Sequence, residues 1–121
     1  MSLSIATVTF DCDEPQRVAG FWSAALARPI DDGASPFFVS IGQHDAGQHD
    51  AGGPAMFFIK VPESKSVKNR VHLDLHTDDR EAEVNRLVGL GATIHSEHDE
   101  FGIRWTTLLD VEGNEFCVAA G

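Results

Sequence analysis

Arg70-Val71-His72-Leu73-Asp74-Leu75-His76, followed at once by Thr77-Asp78-Asp79-Arg80-Glu81-Ala82-Glu83-Val84-Asn85-Arg86-Leu87-Val88-Gly89-Leu90-Gly91, is the stretch that decides the fold. Val71, Leu73 and Leu75 alternate with Arg70, His72, Asp74 and His76, so the first seven residues have strand period, with one apolar and one polar face. The period then lengthens. Val84, Leu87 and Val88 recur at helical spacing and form one buried stripe. Asp78 with Glu81 three residues on has the pattern of a helix cap. Gly91 suits the left-handed position that closes a helix.

The same order stands near the N-terminus. Ala6, Val8 and Phe10 alternate with Thr7, Thr9 and Asp11. Asp13 is a cap candidate with Gln16 three residues on, Pro15 suits a first helical turn, and Val18, Phe21, Trp22, Ala25 and Leu26 follow at helical spacing. Pro29 cannot continue that helix. A shift of 65 residues lays Thr7 on His72, Val8 on Leu73, Phe10 on Leu75, Asp13 on Asp78 and Trp22 on Leu87. Each half is strand, helix, then further strands: 37–41 and 55–61 in the first, 93–96, 103–109 and 115–119 in the second. Asp110-Val111-Glu112-Gly113-Asn114 is a turn between the last two. Each sheet is expected to set one face on its helix and leave the other to meet its counterpart, enclosing a cavity lined by the non-helix positions.

A tandem pentapeptide, Gln43-His44-Asp45-Ala46-Gly47 and Gln48-His49-Asp50-Ala51-Gly52, interrupts the first half. It is polar and punctuated by glycine, which makes it a loop. Its histidines could hold metal loosely, but an insertion without a role is the simpler account.

Composition narrows the function. The chain has 121 residues, enough for one sizeable core. Its formal net charge of −10 repels phosphate backbones and anionic lipid, so neither nucleic acid nor a membrane surface is an expected partner. Lys60, Lys65, Lys68 and Arg70 gather locally and could meet an anion, or simply balance charge in a solvated loop. Two cysteines, Cys12 and Cys117, make no disulfide framework in a chain of this length. No signal peptide or membrane-spanning run is visible, so a reducing cytoplasmic location is expected.

The residues now on the page resemble a known superfamily, the glyoxalase/bleomycin-resistance/extradiol-dioxygenase or vicinal oxygen chelate proteins. Asp13 through Phe21-Trp22 resembles its opening helix. Arg70 to Leu75 followed by Asp78-Asp79 resembles the start of its second half, and Leu90-Gly91-Ala92 its helix end. Trp105 with Leu109 to Cys117 resembles its terminal turn and strand. The similarity covers nearly the whole chain outside the pentapeptide loop, and is greatest with the small glyoxalase-like proteins. It implies an α+β fold of two βαβββ modules, here about 1–62 and 69–121 within one domain of 1–121, forming a cavity-enclosing curved sheet. It also implies that a homodimer is common.

In metal-using members the resemblance implies four side chains, usually His, Gln or Glu, that hold a divalent ion chelated by vicinal oxygens of the substrate. Here the four positions correspond to Thr7, approximately Phe58, His72 and Cys117. Thr7 is a poor ligand and Phe58 is none. Cys117 could hold zinc as thiolate, but one imidazole and one thiol do not suit a hard octahedral ion. No cofactor is therefore expected; a divalent metal, if present, would use His72 and Cys117. A displaced site could draw on Asp74, His76, Thr9 and Asp11, although hydrogen-bonded residues beside a wet cleft is the plainer account. His72 and Cys117 could instead form a nucleophile pair, or Cys117 could be a small buried residue. Trp105 could line the pocket or only pack. Arg70 could bind a carboxylate bidentately or pair with Asp74.

The ligand-cavity candidates are thus Thr7, Thr9, Phe58, Arg70, His72, Asp74, Trp105 and Cys117. The leading expectation is a protein that binds a small organic ligand between its modules without the family's usual metal. A metal-dependent lyase, isomerase or dioxygenase built around His72 is the first alternative. A non-catalytic interaction module is the second.

Overall fold

The computed structural model describes residues 3–43 and 53–120. Residues 44–52 of the tandem loop, His44 and His49 among them, lie outside the described residues. The elements run β1 (Thr7–Cys12), α1 (Pro15–Leu26), β2 (Phe38–Ile41), β3 (Ala55–Lys60), β4 (Leu73–Thr77), α2 (Arg80–Gly89), β5 (Thr93–Glu100), β6 (Ile103–Leu109) and β7 (Glu115–Ala120). Two compact units divide at Ser64–Lys65. Each carries one helix and one open mixed sheet, so the fold is α+β and neither sheet closes into a barrel. No described helix is long and apolar enough to cross a membrane.

The internal repeat is real at the level of backbone. Pro15 and Arg80, the first residues of the two helices, lie 65 positions apart. In each unit the opening strand pairs parallel with the closing strand, β1 with β3 and β4 with β7. The sheet orders correspond too: β1-β3-β2 in the first unit and β4-β7-β6-β5 in the second. Where the second unit has the full strand β5, the first has one bridge, Ile30 to Ile41. Among the described residues, the first module is therefore short of the expected βαβββ by one strand.

In the first unit α1 covers one face of its sheet. Phe10 stacks on Phe58 with ring centroids 5.0 Å apart and leans on Trp22 at 5.6 Å. Trp22 meets Phe21 edge-on at 5.3 Å. Val18, Val39, Ile41 and Phe58 complete this core, all at or below 1% exposure. Phe58 is therefore not a cavity residue as expected. It opposes Phe10 across the ladder, whereas Phe57 opposes Thr9 and lies on the other face. Cys117 opposes Asp74, the repeat partner of Thr9, so the true counterpart of Cys117 is Phe57. A slip of one residue in a strand exchanges its two faces.

In the second unit Val84 and Leu87 of α2 are buried, and the sheet answers with Phe116, Val118 and Leu108, each at or below 2% exposure. The caps sit one residue later than expected. Asp79, not Asp78, accepts the Ala82 N–H at 3.1 Å, and Glu14 with Pro15 behind it opens α1 without a side-chain cap. Helix α1 stops before Pro29, at Ala27, which is itself left-handed (φ 54°). Gly91 closes α2 as expected: with φ 120°, its N–H donates to Val88 O and that of Ala92 to Leu87 O, the paired bonds of a Schellman end.

Two polar anchors hold the loops. Asp110, 3% exposed, accepts from the N–H groups of Glu112 and Asn114 and from the Asn114 amide, fixing the turn before β7. Arg28, 9% exposed, donates to Pro54 O at 2.9 Å beside the start of β3. Its guanidinium occupies the space a Cβ at Gly42 would need, and Gly42 also has φ 73°.

Because Phe58 fills the core while Phe57 lies on the opposite face, truncating the two should differ. Phe58→Ala is expected to cost about 3–5 kcal/mol of stability and Phe57→Ala clearly less, as read by urea denaturation. Equal losses would refute this facing of β3.

Candidate functional site

The face of the second sheet turned away from α2 is ordered in rows by strand register. One row runs Asp74–Cys117–Thr107–Ser96 across β4, β7, β6 and β5. The next runs His76–Ala119–Trp105–His98 over the same strands. Side chains alternate between faces, so the apolar partners Leu108, Phe116 and Val118 fall on the α2 side and these two rows fall together on the other. Here lies a cavity of about 710 Å³, whose lining includes Lys68, His72, Ile103 and Glu115 beside members of both rows.

The polar row is the chemical end. His72 Nε2 lies 3.3 Å from Asp74 Oδ1, and the Thr107 hydroxyl lies 3.3 Å from Cys117 Sγ. One donor atom each from His72, Asp74 and Cys117 fall within 4.8 Å of one another. Burial pushes the Cys117 thiol above its ordinary range; the Thr107 hydrogen bond and Lys68 pull it down, but the Asp74 carboxylate adds to the rise. A protonated thiol is a weak nucleophile, which counts against a Cys117–His72 nucleophile pair.

The second row is the aromatic end. The His98 imidazole stacks on the Trp105 indole with centroids 4.8 Å apart and planes 15° from parallel. Ser96 Oγ lies 2.8 Å from His98 Nε2 and 3.2 Å from His95 Nδ1. Sequence reasoning missed Ser96, His98 and Thr107 as parts of this face. Glu97-His98-Asp99-Glu100 looks too polar for a strand, yet β5 runs to Glu100 because it pairs with β6 along its length. Thr107 lay on a strand read correctly, and its place two residues from Trp105, on the same face, was the available signal.

The other candidates separate. Arg70 is exposed and does not line the cavity; Asp74 pairs with His72 instead. Of the basic cluster, Lys60 turns to Asp13 and Lys65 to Glu115, while Lys68 remains at the cavity. The expected strand from Arg70 begins only at Leu73, since Leu73 opposite Phe116 is the first paired position and the Asn69 N–H is taken by the Glu115 carboxylate at 3.0 Å. In the first unit Thr7 and Thr9 face away from the Phe58 core.

The chemistry of the donors tests the metal centre that the resemblance implies. Thr7 is a poor ligand, and neither Phe57 nor Phe58 is any ligand, so the four-donor oxygen-rich set is not rebuilt. The nitrogen, oxygen and sulfur donors of His72, Asp74 and Cys117 are instead a set that a borderline ion such as zinc accepts.

A family model described as a glyoxalase-like domain matches residues 7–119. No curated protein matches the chain. Among solved structures, a glyoxalase/bleomycin resistance protein/dioxygenase family enzyme from Burkholderia phytofirmans PsJN superimposes with a TM-score of 0.75 at 18% identity, over 98% of each chain. A glyoxalase-related enzyme from Fulvimarina pelagi gives 0.74 at 13% identity, over 99% of this chain and 89% of that one. The bleomycin-binding protein of Streptomyces verticillus, complexed with copper(II)-bleomycin, gives 0.65 at 13% identity, over 100% and 98%. At these identities the likeness is one of fold.

In a Cys12→Ala background, where Cys117 is the remaining thiol, alkylation by iodoacetamide should be slow at neutral pH and titrate above the ordinary thiol range. Asp74→Asn should lower that midpoint, because it removes the negative charge that opposes the thiolate. A midpoint at or below the ordinary value would restore the nucleophile pair.

Proposed function

The chain belongs to the glyoxalase-like domain family, and on that premise we propose that it binds a small organic ligand in the cavity of its second sheet, without the family's four-donor metal centre. The observation that carries this is the cavity itself: the Trp105 indole, Leu75, Ile103 and Ala119 share a space of about 710 Å³ with polar side chains from both rows. Apolar and aromatic surface combined with polar groups that can orient a ligand is the usual make-up of a small-molecule site. The metal-free part rests on Thr7 and Phe57, which supply no adequate ligand. A bleomycin-binding protein with a similar fold is consistent with a binding role.

A second function is favoured by one specific observation, the convergence of His72, Asp74 and Cys117 within 4.8 Å. This would make the chain a metal-dependent lyase, isomerase or dioxygenase with a displaced site. A bound ion would supply Lewis acidity there, and His72, Asp74 and Cys117 would hold it at one end of the cavity.

Thermal-shift titration of chelator-treated protein separates the two. A library of apolar, drug-sized compounds should yield hits that raise the melting temperature saturably without metal. At a hundredfold excess over Kd the shift should be on the order of 10 °C, and Trp105→Ala should abolish it. A rise with Zn²⁺, Ni²⁺, Mn²⁺, Fe²⁺ or Mg²⁺ that is lost in both His72→Ala and Cys117→Ser would favour the metalloenzyme and sink metal-free binding.

A further inference from the structure

The row His98–Trp105–Ala119–His76 contains a gap. His98 and Trp105 are direct partners on β5 and β6, and their ring centroids are 4.8 Å apart. That equals the usual spacing between neighbouring strands, about 4.8 Å. The two rings therefore stand side by side across the ladder, and the imidazole covers one face of the indole. The other face of Trp105 looks along the row toward β7, where its partner is Ala119. A methyl group is too short to rise beside an indole. Beyond Ala119 the row resumes with His76 on the edge strand β4, an exposed position. Two strand spacings separate Trp105 from His76, roughly 9.5 Å. Carbon atoms of stacked groups approach to about 3.5–4.0 Å. The space over Ala119, beside the open face of Trp105, is therefore wide enough for one flat ring.

The neighbouring row supplies a polar partner at the right reach. Asp74, Cys117 and Thr107 lie two residues along the same strands from His76, Ala119 and Trp105, or about 6.5–7 Å. That is about the length of a fused bicyclic ring. The Asp74 side chain is 75% exposed, and an ionised carboxylate only accepts hydrogen bonds. A ligand group directed there must be a donor, and a carboxylate in that place would be repelled.

We infer that the cavity takes a planar aromatic ligand, its ring seated over Ala119 against the open face of Trp105 and a hydrogen-bond donor at its end directed to Asp74. This deepens the proposed binding function and rests on it. Ala119 is the specificity-determining residue, because its smallness makes the slot. Trp105 supplies the platform, and His98 holds the platform upright.

The experiment compares three probes by isothermal titration calorimetry on the full chain. 2-Naphthol is flat and carries a donor, decahydro-2-naphthol has the same carbon skeleton but is puckered, and 2-methoxynaphthalene is flat without a donor. Favourable stacking is worth about 0.5–1.5 kcal/mol beyond area, so 2-naphthol should bind up to about tenfold more tightly than its saturated analogue. It should also bind more tightly than the methoxy compound, and Asp74→Asn should reduce that second preference. Ala119→Leu should remove 2-naphthol binding, and Trp105→Leu should remove the preference for flatness while leaving decahydro-2-naphthol bound. If Ala119→Leu fails to fold, Trp105→Leu alone decides the stacking. Equal binding of the flat and puckered alcohols would overturn the slot and leave organic-ligand binding standing. Equal binding of 2-naphthol and 2-methoxynaphthalene would overturn the donor contact to Asp74. Absence of binding by all three would overturn the slot, and organic-ligand binding would then stand or fall on the library titration.

Discussion

In each unit the opening strand lies parallel to the closing one, and a parallel pair cannot be joined by a tight turn. The chain must cross over, and in both units the crossing begins with a helix, α1 after β1 and α2 after β4. Docking that helix on one face of its sheet buries Phe58 in the first unit and Val118 in the second, the ladder partners of Phe10 and Leu75. The alternate positions, Thr9–Phe57 and Asp74–Cys117, are then forced to the opposite face. The arrangement of the candidate site follows from this separation of faces, because its two rows are made of groups the helix does not cover.

The two units use one plan for different ends. In the first, the last core layer is aromatic: Phe10 meets Trp22 and Phe58 with ring centroids 5.6 and 5.0 Å away. In the second, the aliphatic Leu108 and Val118 with Phe116 serve that role, and the large polar and aromatic side chains are displaced to the other face. The second sheet also gains the full strand β5, which carries Ser96 and His98. The additional strand doubles as a wall: without it Trp105 would stand at a sheet edge, with no stacked partner.

The chemistry of the polar row is governed by what surrounds one sulfur atom. Cys117 is desolvated and has the Asp74 carboxylate beside it, and both effects hold the proton on the thiol. Such a group packs and donates weakly but does not attack. A divalent cation would reverse the balance, since a coordinating thiol is deprotonated by the ion itself. The same three side chains therefore suit two different kinds of chemistry.

The alternation around His72 to His76, the spacing of the helical stripes and the glycine at position 91 determined the element order, the duplication and the α+β class, because those patterns are local and repeat within a few residues. They also placed His72 and Asp74 on one face, while Cys117 joined them only through the resemblance to the superfamily. They did not determine that Phe57, not Phe58, is the counterpart of Cys117: adjacent phenylalanines carry no periodic signal, and only the ladder with β1 distinguishes them. Nor did they reveal that β5 extends through Glu100. Its residues are too polar to mark a strand alone, and the pairing with β6 overrides that preference. The cavity has the same origin. Ser96, His98, Trp105 and Ala119 come from three strands spread over 24 residues of sequence, from Ser96 to Ala119, and only strand register, which depends on long-range hydrogen bonds, sets them side by side.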